Sequence, residues 1–230
     1  MNIRKFIILT GIGLLLSACN TSKVLKPEER LLHANKIQIE GKQSIENKLN
    51  LNQQLITLIK QKPNRNFFLV FPREYLYYRY VIKKKKSNWI SNSLAKQSEK
   101  PSVLDTSLCR ATQLNIYNYL YNQGYFNAKS TYKIDTSNFK VNVIYRVNPG
   151  QRYFINDVKF IADDKTIQDI LINNSNASFL VPGEPLDNSL FQNEKARISD
   201  LLFNNGFAEF NPVYIQNLDA DTVHLKANII

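Results

Sequence analysis

Two stretches decide the reading of this chain: residues 117–128, YNYLYNQGYFNA, and residues 198–210, ISDLLFNNGFAEF. Each carries a helix-like apolar pattern into a glycine, Gly124 or Gly206, with an aromatic residue immediately after it. The offset between them is 82 (206 minus 124). At that offset Leu104-Asp105 falls on Leu186-Asp187, Ile116 on Ile198, Tyr119-Leu120 on Leu201-Leu202 and Tyr125 on Phe207. The register continues without a gap, so that Val141, Val143, Tyr145 and Val147 fall on Val223, Leu225, Ala227 and Ile229. Self-similarity over this length at one fixed offset marks a duplicated unit.

Each copy decodes into the same elements. Asp105 and Asp187 stand where a side-chain oxygen can accept an orphan backbone N–H at a helix start. A helix follows, with Cys109, Ile116, Tyr119 and Leu120 in one copy and Phe191, Ile198, Leu201 and Leu202 in the other at the three-and-four spacing of a buried face. Gly124 and Gly206 supply the left-handed stop. Beyond Gly124, Phe126, Ala128, Ser130, Tyr132 and Ile134 alternate with polar residues, the period of a half-buried strand. A turn is expected over residues 135–138, and the alternation resumes over 139–147, predicting an antiparallel hairpin. In the second copy the turn is expected near residues 217–221. Upstream of each capped helix the pattern predicts an earlier strand (residues 36–40 and 153–161) and an earlier helix (about 46–61 and 165–174).

The expected order is strand, helix, helix, strand, strand, twice: an α+β chain of two tandem βααββ modules. With this order, the helix-ending NQGYFNA and NNGFAEF, the Asn148-Pro149-Gly150 junction and the run Val181-Pro182-Gly183-Glu184-Pro185-Leu186-Asp187, the sequence resembles POTRA domains. These are the polypeptide-transport-associated modules of the outer-membrane assembly superfamily that includes BamA and TamA. The resemblance implies modules over residues 36–148 and 149–230 and a non-enzymatic role without cofactors. It further implies binding of extended polypeptide, such as unfolded outer-membrane proteins or a barrel or periplasmic assembly partner. By the family's behaviour the binding edge is expected along residues 125–134 and 207–215, with Phe126, Lys129, Thr131, Lys133, Phe207 and Phe210 as candidates.

The first nineteen residues add a location. A short basic start, an apolar run over residues 6–16 and the small residues before Cys19 have the layout of a secretory signal. The run falls well short of the roughly 20 residues that span a bilayer core. Leu16-Ser17-Ala18-Cys19 resembles the lipobox of bacterial lipoproteins, which implies cleavage before Cys19, transfer of a diacylglyceryl group with acyl chains such as palmitate to its thiol, and a linker over residues 19–35. With Asn20 after the cysteine, the resemblance to sorting rules implies the inner leaflet of the outer membrane, with the modules in the periplasm. Together with the repeat, this is most similar to TamA-like lipoproteins. Cleavage would remove only Arg4 and Lys5 from a formal net charge of +11, so the mature chain stays basic. On an exported chain that charge points to anionic headgroups and acidic polypeptide rather than to nucleic acid. A 43% hydrophobic content is enough for packed cores, and with Cys19 committed to lipid, Cys109 has no disulfide partner.

Two departures from the family stand out. Ile230 maps onto Asn148, so the sequence given ends at a module edge with no barrel strands, and pore or insertase activity is not implied. The first copy is also enlarged: Gly41 to Asp105 is about forty residues longer than Asp163 to Asp187. The extra segment, about residues 65–104, holds Tyr75, Tyr78, the run Lys83, Lys84, Lys85 and Lys86, and Trp89. One reading is a surface for anionic lipid or a partner. The plainer expectation is a helical elaboration that buries its aromatics on its own module and turns the lysines to water.

Candidates for catalysis each have a structural explanation. His33 and His224 have no Cys or carboxylate beside them at metal-ligand spacing, and no metal site is expected. Cys109 corresponds to Phe191 on a buried helix face, the environment of a packed thiol. Asp163-Asp164 precedes a helix as a cap would. The lysine run reads as a solvated face and, without base-stacking platforms, is weak support for nucleic acid.

Overall fold

The computed structural model describes residues 25–41, 45–67, 71–83, 88–215, 218–221 and 226–229. The signal-like start, Cys19 and Lys84, Lys85 and Lys86 lie outside the described residues, as does His224. The first copy runs β1 (Leu31–Ile39), α1 (Ile45–Thr57), the extra segment, α4 (Thr106–Asn122), β4 (Lys129–Ser137) and β5 (Lys140–Asn148). The extra segment supplies β2 (Asn66–Phe67), β3 (Phe71–Pro72), α2 (Arg73–Leu76), a π-helix (Tyr77–Ile82) and α3 (Trp89–Lys96). The second copy runs β6 (Phe154–Val158), α5 (Lys165–Asn173), α6 (Asn188–Asn204), β7 (Leu218–Asp221) and β8 (Lys226–Ile229). The fold is α+β, with the βααββ order present twice. The paired helices α4 and α6 are 17 residues each and start 82 positions apart (188 minus 106).

Local chemistry sets these helices. Asp105 and Asp187 accept the backbone N–H of Ser107 (2.8 Å) and Ser189 (2.7 Å), and each also accepts that serine's hydroxyl. Hydrogen bonding from the Ser107 side chain, then from its N–H, holds the exposed Asp105 carboxyl below the ordinary value. Both helices end at positive-φ glycines, Gly124 (81°) and Gly206 (94°).

The inward faces contain an element that apolar periodicity hides. On α4, Cys109, Thr112, Ile116 and Leu120 are buried; on α6, Glu194, Ile198 and Leu202 are. Thr112 and Glu194 are equivalent in the repeat, and both capture a backbone N–H just beyond the copy's first helix. Thr112 Oγ1 accepts from the Lys60 N–H (3.1 Å) and Glu194 Oε2 from the Phe179 N–H (2.9 Å). A buried donor left unpaired costs roughly 1–3 kcal/mol, so a polar side chain on this face is stabilising. Around Thr112 lie Tyr145, whose phenol burial pushes far up, and Cys109, whose thiol burial also raises.

The two sheets have one plan. Their orders are β1-β5-β4 and β6-β8-β7, each with the last strand of its copy in the centre. Leu31 N–H donates to Phe139 O and Glu40 N–H to Val147 O, both at 2.8 Å, so β1 and β5 run parallel. In the second sheet β6 is likewise parallel to β8, and β7 antiparallel to it. Val141, Val143, Tyr145 and Val147 of β5 are each 1% exposed or less. Full burial of an aliphatic side chain of this size contributes roughly 1.5–3 kcal/mol.

Several boundaries differ from the sequence expectation. β1 begins at Leu31 rather than Lys36, because Leu31 and Leu32 are buried and take up the pairing, so the expected linker over 19–35 overlaps a strand. β4 begins at Lys129, since the Tyr125 N–H turns back to Leu120 O and the Ala128 N–H to Tyr125 O (both 3.0 Å). The hairpin turn sits at Asn138 and Phe139, with Asn138 at a φ of 54°, which asparagine tolerates. In the second copy residues 207–215 form no strand: Asn211 caps a 3-10 turn, Pro212–Tyr214. Strand β7 then occupies the place expected for the turn. The copies meet between β5 and β6, but compactness divides the chain elsewhere. One unit takes residues up to 38 with 49–113 and 131–146; the other takes 39–48, 114–130 and 147–230.

Candidate functional site

The outer strands of the two sheets are treated differently by the chain. Along β1, Leu31 bridges Val103, Leu32 N–H donates to Ser102 O and Leu104 N–H to Arg30 O (both 2.8 Å). Along β6 the equivalent segment does the same: Phe154 bridges Pro185, Ile155 N–H reaches Glu184 O (2.9 Å) and Gly183 N–H reaches Ile155 O (2.8 Å). The stretch before the second helix of each copy thus covers the edge of that copy's first strand. β4 and β7 are the strands at the opposite edges.

β4 has the side chains of a strand with one packed and one wet face. Lys129, Thr131, Lys133 and Asp135 are exposed, while Ser130 is buried and Tyr132 and Ile134 are half-buried. Tyr132 stacks near Tyr145 at 6.3 Å between ring centroids. An outer strand offers a row of backbone donors and acceptors, and charged side chains on it discourage indiscriminate pairing.

Phe126 is not on this strand. It lies half-buried in the turn after Gly124, edge-on to Tyr121 (4.9 Å) and Tyr153 (5.0 Å). A cavity of about 270 Å³ lies beside it, lined by Tyr121, Leu186 and Phe191 among others. The turn is tied down by hydrogen bonds that sequence periodicity does not reveal. Tyr153 N–H donates to Gly124 O (2.9 Å), Arg152 Nε to Gln123 O (2.7 Å) and Gln123 Nε2 to Asp187 Oδ2 (2.7 Å). The Arg152 guanidinium also sits 5.6 Å from the Tyr125 ring centre. Gly124 is held so close that a Cβ there would stand 2.3 Å from Leu186 O.

Phe207 and Phe210 lie on no sheet edge. They are half-buried against the Leu171, Ile198 and Leu202 cluster. The Phe207 N–H returns to Leu202 O (3.0 Å) and the Phe210 N–H to Phe207 O (3.1 Å), the same turn that follows Gly124. Their expected place on a binding strand is therefore corrected: the helix-ending turn uses both residues to seal the core.

The extra segment is closed at its base by Glu99, which pairs with Arg73 (2.9 Å) and accepts from Arg65 N–H (3.1 Å) and Asn64 Nδ2 (3.3 Å). Partial burial works against this carboxylate, but those bonds and the Arg73 charge together hold its pKa below the ordinary value. Glu74 is buried, and burial raises its pKa. Beyond this base, Tyr75 and Tyr78 are half-buried and Lys83 is exposed, its Nζ 5.3 Å from the centre of the Tyr78 ring. Trp89 is 81% exposed, so it is not packed on its own module. The capping box between Asn88 and Ser91 explains this: it turns Ser91 inward and leaves Trp89 and Ile90 outside.

Among the described residues no group of His, Cys, Asp and Glu could hold a metal. His33 is exposed on β1 and Cys109 is buried. No described helix is long and apolar enough to cross a membrane.

No protein-family model matches this chain, and no curated protein is similar enough to it to count as a relative. Among solved structures it is similar to POTRA domains 3–5 of BamA from Haemophilus influenzae, with 14% identity and a TM-score of 0.43 over 89% of this chain and 66% of that one. It is also similar to POTRA domains 1–2 of the periplasmic domain of Omp85 from Anabaena, at 10% identity and a TM-score of 0.42, over 89% and 95%. For the N-terminal domain of Omp85 from Thermosynechococcus elongatus the values are 11%, 0.41, and 89% and 63%. The chain spans slightly under two thirds of the first and third of these structures.

Proposed function

We propose that this chain is a POTRA-type binding module of an outer-membrane assembly or polypeptide-transport system, and that it holds extended polypeptide on the outer edge of β4. The supporting observation is the asymmetry of the edges. The chain covers part of β1 with residues 102–104, whereas β4 is the outer strand at the other side of the same sheet. An incoming segment would add as a further strand, bound through main-chain hydrogen bonds and therefore with little dependence on its sequence. Lys129, Thr131 and Lys133 would flank it on the wet face. Unfolded barrel precursors and extended partner segments both fit this mode, and neither needs a cofactor or catalysis.

In this reading the chain is a TamA-like lipoprotein with modules over residues 36–148 and 149–230, attached by acylation of Cys19 to the inner leaflet of the outer membrane. Only residues 20–30 would then separate the lipid from β1, a reach of at most about 40 Å. A tether or adaptor for one protein partner is the second reading, favoured by the exposed Trp89 on the extra segment. Photocrosslinkers at Lys129 and Lys133 separate the two. Capture of many different barrel precursors supports the first; one stoichiometric partner supports the second.

A further inference from the structure

We propose that the extra segment of the first copy docks on an anionic bilayer surface, giving the chain a membrane contact separate from Cys19. Four large apolar side chains stand out within ten residues: Val81 (37% exposed), Ile82 (51%), Trp89 (81%) and Ile90 (50%). The π-helix and α3 that carry them pack against each other. α3 turns its inward side through Ser91, Leu94 and Ala95, which are buried or half-buried, so Trp89 and Ile90 face out. Nothing acidic lies between Glu74 and Glu99 in the sequence, whereas Arg79, Lys83 and Lys96 do. Glu74 is itself buried and Glu99 is neutralised at the base by Arg73.

An exposed tryptophan among aliphatic side chains suits the headgroup level of a bilayer, where its ring can be half apolar and half wet. Basic side chains close by are attracted to anionic lipid and lose that attraction in salt. The combination selects a lipid surface over an acidic polypeptide, because the exposed aliphatic groups need an apolar medium to enter. The proposal rests on the extra segment alone and is independent of client capture at β4.

Trp89 is the sole tryptophan, so its fluorescence reads this surface without labelling. The full chain is held through its N-terminal anchor in vesicles of phosphatidylcholine, or of phosphatidylcholine with phosphatidylglycerol, each with lipids brominated near the headgroup. The expected result is quenching and a blue shift of Trp89 only in the anionic vesicles. Both effects are reversed by high salt and absent in the double variant Ile82→Ser, Lys83→Glu, with its fold checked by circular dichroism. The salt arm needs no substitution and decides the matter even where the variant fails to fold. Quenching in neither vesicle, equal quenching in both, or shielding of Trp89 by polyglutamate but not by vesicles overturns the proposal. Loss of precursor crosslinking at Lys129 would leave it standing.

Discussion

Replacing Gly124 and Gly206 by alanine, one at a time, separates two costs that the repeat places at equivalent positions. Both glycines adopt positive φ, 81° and 94°, so each substitution forces a side chain into the left-handed region, at about 1–2 kcal/mol. At Gly206 nothing lies within 4 Å of the added Cβ, and that cost stands alone. At Gly124 the Cβ would be 2.3 Å from the Leu186 carbonyl oxygen, a contact that backbone has to relieve by moving. Leu186 is held by its N–H on Tyr153 O, and Gly124 O receives the Tyr153 N–H, both at 2.9 Å. Relief therefore weakens one or both bonds, at roughly 1–3 kcal/mol for each buried group left unpaired. With one of these bonds lost, Gly124→Ala is expected to cost about 2–5 kcal/mol against about 1–2 kcal/mol for Gly206→Ala, by urea unfolding followed by circular dichroism at 222 nm. Equal losses, or a larger loss at Gly206, would refute the close approach of Gly124 to Leu186.

Three further outcomes follow from buried polar groups. Arg197→Ala strands the Glu194 carboxylate, which is 2% exposed and bonded to Arg197 at 2.6 Å; unfolding measurements should show a loss of about 2–4 kcal/mol, below the usual range for a buried pair because Arg197 is partly exposed. Thr112→Val keeps the shape but removes the acceptor for the Lys60 N–H, and should cost about 1–3 kcal/mol in the same assay. Glu74→Gln should raise the melting temperature at neutral pH. Burial raises the pKa of Glu74 in the folded chain, so the stability associated with its proton is present below the unfolded value and lost as pH rises through the folded one. The gain from glutamine should shrink as pH falls toward the ordinary carboxylate value, and a gain that stays constant from pH 7 to pH 4 would contradict the assignment.

Much of the architecture was legible because the repeat made each copy a check on the other. The Asp caps, the glycine stops and the alternation in β5 depend on local chemistry, and all sit where that chemistry puts them. Three features were not legible, each for a definite reason. The turns after Gly124 and Gly206 are helix-end hydrogen bonds that look like strand alternation, because Phe126 and Phe210 reach inward from a turn as they would from a strand. Thr112 and Glu194 break the apolar stripe, and only the N–H groups of Lys60 and Phe179, 52 and 15 residues away, explain them. The coverage of β1 and β6 by the stretch before the second helix comes from tertiary pairing that no periodicity encodes. Of the candidate site, Lys129, Thr131 and Lys133 lie together on an outer strand, Phe126 lies before it in a turn, and Phe207 and Phe210 are half-buried against the Leu171, Ile198 and Leu202 cluster. The exposure of Trp89 hinged on which way the Asn88–Ser91 capping box turned a short helix.

The central claim is capture of extended polypeptide on the outer edge of β4, and a pair of proline substitutions tests it most directly. Successive N–H groups of a strand point to opposite sides, so one of Thr131→Pro and Tyr132→Pro removes an outward donor and the other breaks pairing to β5. The variant that keeps the wild-type circular dichroism and melting temperature is the outward one. Its affinity for a urea-unfolded barrel precursor, measured on dilution, should fall by at least about fivefold, the equivalent of one main-chain hydrogen bond. A folded outward variant that binds the precursor as tightly as the wild type would contradict the account.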